Sequence, residues 1–141
     1  MDEYFSGTNH FTQKAAVRDT LDTVIEQLSL HPSWKFCYGE MGFFKLWYDQ
    51  QEQEVKDQTK KLLKNGQLEI VGGGWSGNDE AVTNFEDIIN NFMVGHEFLK
   101  KEFGVIPKIG WNIDDFGHSD ANSRIFGQMG YEAMFFSRLD H

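Results

Sequence analysis

Lys108-Ile109-Gly110-Trp111-Asn112-Ile113-Asp114-Asp115-Phe116-Gly117-His118-Ser119 is the stretch whose reading decides the fold. Ile109, Trp111 and Ile113 recur at the period-two spacing of a strand, and the run ends in two adjacent carboxylates before breaking at Phe116-Gly117. Ser119 or Asp120 then offers a cap for a new helix. A β-prone run that ends in acid and passes into a helix is typical of α/β proteins. Their chemistry collects at the carboxyl ends of strands, where loops vary over a rigid sheet. Asp114 is therefore a candidate site residue by position. Consecutive residues of extended chain point to opposite faces, which predicts that only one of Asp114 and Asp115 faces a given pocket.

The same unit recurs outward from this stretch. Trp34 to Tyr38 predicts a strand ending at Gly39-Glu40, Leu68 to Val71 one that runs into Gly72-Gly73-Gly74-Trp75, and Ala133 to Phe136 one before Ser137-Arg138. Between them, Val17, Leu21, Val24 and Leu28 mark one face of a helix stopped at His31-Pro32. Phe43, Phe44, Trp47 and Tyr48 fit a short helix, and Val55, Thr59, Leu62 and Leu63 fit another ending at Asn65-Gly66. Phe85, Ile88, Ile89, Phe92, His96, Leu99 and Phe103 line a long one, and Ile125, Phe126 and Met129 a last one closed by Gly130. Met1 to Phe11 reads as a loop. Strands alternating with helices predict right-handed crossovers and a mainly parallel sheet covered by helices, in one domain without an internal boundary. The first helix has no strand before it and the last strand no helix after it, so truncation at both ends is expected.

Composition narrows the function. The 141 residues are about half of what an eight-unit barrel of ~250 residues requires. Hydrophobic residues at 40% and aromatics at 15% suffice for a core, and a formal net charge of -9 leaves no basic patch for nucleic acid. The single cysteine, Cys37, has no disulfide partner within the chain and sits in an apolar run, where a buried, inert thiol is expected. Met1 is followed by Asp2 and Glu3 rather than a basic and then apolar leader, and no apolar run is long enough to span a bilayer.

Local chemistry leaves alternatives. Acids after a strand serve turn and N-cap roles as well as nucleophilic or metal-binding ones, so Asp114 and Asp115 stay open on spacing alone. Asp115-Phe116-Gly117 matches the magnesium-binding Asp-Phe-Gly of kinases, but no glycine-rich phosphate loop or His-Arg-Asp precedes it. Gly117-His118-Ser119-Asp120-Ala121 resembles a nucleophile elbow, yet Ser119 lies too far past the strand. Gly72-Gly73-Gly74 lacks the Lys-Ser/Thr of a P-loop and reads better as glycines that let the following loop lie close to a pocket. The histidines show no metal-ligand spacing, and His96 reads as a core residue.

At Gly110 to Ser119 the chain resembles the glycoside hydrolase family 38 α-mannosidases, lysosomal type, whose signature reads Trp-x-Ile-Asp-Pro-Phe-Gly-His-Ser. Asp2 to Gly7, the helix Val17 to Leu28, Phe36 to Glu40 with Phe43-Phe44, Leu68-Glu69-Ile70-Val71-x-Gly73-Gly74-Trp75, Asp79-Glu80-Ala81 and Phe135 to Asp140 are similar to that family in order. The resemblance implies a partial seven-stranded β/α barrel and a retaining hydrolase that removes terminal α-mannose from N-glycans with one zinc ion. It also implies a lysosomal or other endomembrane location. Asp114 matches the family's nucleophile and zinc ligand, and Arg138 its active-site arginine. A retaining enzyme needs a second carboxylic acid about 5 Å from the nucleophile. By the family's register that acid and the other zinc ligands fall outside residues 1 to 141, which predicts an inactive chain in isolation. A non-catalytic carbohydrate-binding remnant is the alternative. Asp115 departs from the family signature, which has proline there.

Overall fold

The computed structural model describes residues 10–139, with side chains placed from Ala16 onward. In chain order the elements are α1 (His10–Leu30), β1 (Phe36–Tyr38), α2 (Met41–Asp49), α3 (Gln53–Lys64), β2 (Leu68–Ile70), α4 (Phe85–Phe103), β3 (Ile109–Asn112), α5 (Asp120–Gln128) and β4 (Ala133–Phe136). Each predicted element forms. Helix α1 starts at His10, inside the stretch read as a loop, and the rest of that stretch lies outside the described residues.

The chain makes two compact units, Met1–Phe36 with Phe43–Glu69, and Cys37–Gly42 with Ile70–His141. It passes from one to the other inside β1, α2 and β2, so no linker composition marks the passage. In the first unit α1 packs on α3. Leu21, Ile25 and Leu28 are buried at successive helical turns, and Phe44, Trp47 and Leu62 are buried with them in that unit's core. Ile25 takes the enclosed position that the spacing assigned to Val24, which is only half-buried. The Trp47 indole donates to Asp22 Oδ1 at 2.7 Å, and Gln67 Nε2 donates to the Leu28 carbonyl at 2.7 Å. The second bond satisfies one of the carbonyls left open at the end of α1.

The second unit is built on α4. Ile88, Phe92 and Phe126 form its centre, flanked by Ile125, Met129, Tyr131 and Met134. The Phe92 and Phe126 rings meet edge to face at 5.2 Å. Strands β3 and β4 pair in parallel, in register from Ile109↔Ala133 to Asn112↔Phe136. β1 and β2 form a second two-stranded sheet. The Gly72 N–H donates to the Ile109 carbonyl at 2.7 Å, joining the end of β2 to the start of β3 by a single bond.

The described residues therefore give an α/β arrangement with a parallel strand pair, in place of the continuous sheet that the alternation predicted. Their four strands do not make a seven-stranded barrel. The interruption has a local cause: Gly72 (φ 62°) and Gly73 (φ 77°) turn left-handed after a single residue past β2, leaving strand geometry before a ladder to β3 can grow.

This glycine turn lies against α4. A Cβ on Gly95 would stand 2.0 Å from the Gly73 carbonyl oxygen, whereas one on Gly127 of α5 would meet nothing within 4 Å. Gly95→Ala is accordingly expected to destabilise the chain by about 1–3 kcal/mol through overpacking. Gly127→Ala is expected to stabilise it by about 0.5–1 kcal/mol by adding helix propensity. Urea unfolding of both variants checks the opposite signs.

Candidate functional site

A cavity of about 200 Å³ opens at the carboxyl ends of β1, β2 and β3, lined by Gly39, Glu40, Gly72, Asn112, Asp114 and Asp115 among others. Both aspartates line it, against the expectation that only one would. The strand ends at Asn112, one residue earlier than predicted, and residues 113–115 bend, so the two-sided alternation no longer applies.

Arg138 Nη2 donates to Asp114 Oδ1. Arg138 follows β4 with φ 53°, in the left-handed region, and its guanidinium carbon lies 5.4 Å from the Phe116 ring centroid. The two sequence-predicted residues are thus brought together, with the Arg138 guanidinium between the Asp114 carboxylate and the Phe116 face. Both side chains are about half exposed, and such a pair contributes no more than about 1 kcal/mol to stability. Its significance is orientational: one carboxylate oxygen is fixed by the guanidinium.

Burial, and then the negative charges of Asp79 and Asp114, push the Asp115 carboxyl above its ordinary value. Glu40 Oε1 accepts from the Gly77 N–H at 3.1 Å.

Glu80 is the residue that sequence reasoning missed, having been named only within the family-like Asp79-Glu80-Ala81 and given no role. Its side chain is 1% exposed. Oε1 accepts from Asn112 Nδ2 at 2.6 Å and His118 Nδ1 at 2.9 Å, and Oε2 accepts from the Ser119 N–H at 2.6 Å. Ser119 is the N-cap of α5 and makes no side-chain cap bond. Glu80 supplies the anion at that helix terminus instead. The other ring nitrogen of His118, Nε2, donates to the Ser137 carbonyl at 2.7 Å. Bonding to Ser137, and then to Glu80, raises the His118 pKa above its ordinary value. No local pattern marks Glu80 as special; only its place in the family-like Asp79-Glu80-Ala81 set it apart.

His96 is a satisfied core residue as expected, with Nε2 2.9 Å from the Gly72 carbonyl oxygen and 3.1 Å from the Tyr131 hydroxyl. Cys37 is exposed, contrary to expectation. In β1 the alternation turns Phe36 and Tyr38 to the covered side and leaves Cys37 on the other. Among the described residues no group of three or more His, Cys, Asp or Glu is placed to hold a metal ion. A protein zinc site needs three or four such ligands, so these residues by themselves do not fit one.

A parallel-strand α/β frame with a carboxylate–guanidinium pair at a strand's carboxyl end hosts many chemistries, and the family is fixed by likeness to known proteins. The profile of "Glycosyl hydrolases family 38 N-terminal domain" matches residues 1–141, and the chain belongs to this family. It is 46% identical over 141 residues to lysosomal alpha-mannosidase of Dictyostelium discoideum, covering 100% of this chain and 14% of that protein. It is 42% identical over 142 residues to alpha-mannosidase of Canavalia ensiformis, with the same 100% and 14% coverage. In three dimensions it resembles an alpha-mannosidase from Enterococcus faecalis with a TM-score of 0.78 at 19% identity, covering 92% of this chain and 14% of that one. The chain thus spans about 14% of the length of the curated relatives it matches.

A raised carboxyl pKa means that the folded state binds the Asp115 proton more tightly than the unfolded state. Stability from this position is full at low pH and lost as pH rises through the folded value. In metal-free buffer, Asp115→Asn is expected to raise the thermal midpoint at pH 7 and to leave it unchanged at pH 3. Paired melting curves at the two pH values check this.

Proposed function

We propose that this chain carries the nucleophile part of a retaining α-mannosidase centre, acting on terminal α-mannose of N-glycans. Asp114 is the carboxylate that attacks the anomeric carbon, and Arg138 fixes its orientation. The single observation that carries this reading is the Asp114–Arg138 pair at the carboxyl end of β3, beside the acid-lined cavity. Retention proceeds through a covalent glycosyl-enzyme, which requires one carboxylate held at the sugar and a second carboxylic acid to protonate the leaving oxygen. A guanidinium on one oxygen of Asp114 stops the group rotating and leaves its other oxygen for attack.

The rest of the centre is proposed to come from segments of a full-length enzyme beyond the described residues. Zinc, if bound there, takes Asp114 as one ligand. Several relatives are named lysosomal alpha-mannosidases, and a lysosomal or other endomembrane location is proposed for this chain. No helix among the described residues is long and apolar enough to cross a membrane.

Two measurements test the reading. The purified 141-residue chain is expected to show no turnover of an aryl α-mannoside; saturable mannose binding without turnover in every context would favour a carbohydrate-binding role instead. Exchanged into the corresponding segment of the Dictyostelium discoideum enzyme, the same residues are expected to support hydrolysis. In that chimaera Asp114→Asn should lower kcat by on the order of 10⁴-fold or more. A folded chimaera whose rate is indifferent to Asp114→Asn would sink the proposal.

A further inference from the structure

The Asp114–Arg138 pair joins two strand ends that have already left their ladder. Register between β3 and β4 stops at Asn112↔Phe136. Asp114 lies two residues past that point on one side, and Arg138 two past it on the other. Glu80 reaches both ends. It binds Asn112 directly, and it binds His118, whose other nitrogen holds the Ser137 carbonyl next to Arg138.

We propose that Glu80 is a positioning residue for the Asp114–Arg138 pair, acting through Asn112 on one strand end and through the His118–Ser137 bond on the other. The use of that pair in catalysis rests on the proposed function; the linkage stands on the geometry alone. A buried carboxylate with three donors is rigid, because any movement strands a charge away from its partners. That rigidity passes to two residues flanking the pair.

The relay through His118 depends on its charge. The groups that face the ring are the Glu80 carboxylate at Nδ1, the Ser137 carbonyl at Nε2 and the Phe136 ring edge-on at 5.7 Å. Both polar partners are acceptors, and a neutral imidazole has one N–H to give. Only the imidazolium makes both bonds, so loss of its proton breaks one side of the bridge. With the folded pKa above the ordinary value of 6.5, the intact bridge holds below that value and is lost as pH rises through the raised one.

Nuclear magnetic resonance on the full 141-residue chain tests this without requiring activity. The His118 ring signals and the Arg138 Nε–H signal are followed together as pH is raised. In the wild type the Arg138 signal is expected to shift with its inflection at the pH where His118 titrates, above 6.5. His118→Gln is expected to abolish the inflection. Glu80→Gln is expected to move the Arg138 signal at acid pH to the unpaired position defined by Asp114→Asn. An Arg138 signal that ignores the His118 titration, or that is unchanged in a folded Glu80→Gln chain, overturns the proposal. If Glu80→Gln does not fold, the wild-type titration and His118→Gln decide alone. Arg138 tracking His118 while the chimaera ignores Asp114→Asn would uphold the positioning role and remove the catalytic one.

Discussion

A carboxylate with 1% of its side chain exposed has to be answered by donors wherever the chain can bring them, because an unpaired charge at that depth costs several kcal/mol. Glu80 meets this demand with one donor from the end of β3, one from the His118 ring and one from the backbone at the start of α5. All three donors fall on the stretch from Asn112 to Ser119, two of them on consecutive residues. One buried charge therefore ties the end of β3 to the start of α5, on either side of the Asp114 turn. The Asp114–Arg138 pair, half in solvent, lacks the energy to impose such order and inherits it.

A second constraint sits beneath the cavity, where close backbone approach substitutes for side-chain packing. Gly95 lets α4 touch the Gly73 carbonyl, and the neighbouring Gly72 carbonyl accepts from the Tyr131 hydroxyl with His96 beside it. Burial drives the Tyr131 pKa upward, so the hydroxyl remains a donor. The turn that ends β2 is thus held from α4 and from the segment leading to β4. It forms a firm wall for the space that Asp114 and Asp115 line.

Much of this architecture was legible in the sequence because it is written in short-range periods. Leu21 and Leu28 announce α1, and Ile109 with Trp111 announces β3. The place of Asp114 just past a strand was legible because a strand's end is a position that local pattern reveals. The failures have other causes. Glu80 is bound by residues more than thirty positions away, and no window of a dozen residues contains that fact. Asp115 joined the cavity because the strand ended at Asn112 and residues 113–115 bend, a change of backbone path that the alternation of Ile109, Trp111 and Ile113 does not foretell. Cys37 was read from the apolarity of its neighbours, whereas strand alternation sets adjacent residues on opposite sides.

The parallel pairing of β3 with β4 also has a kinetic meaning. Ile109 meets Ala133, so forming the ladder closes a loop of about two dozen residues, a cost that precedes any reward from the ladder itself. Within that loop lies α5, nine residues long and too short to persist alone in water. Neither the helix nor the ladder is a stable early structure. Each becomes favourable only as Phe126 reaches Phe92, which makes docking on α4 the event that commits this half of the chain to its native arrangement.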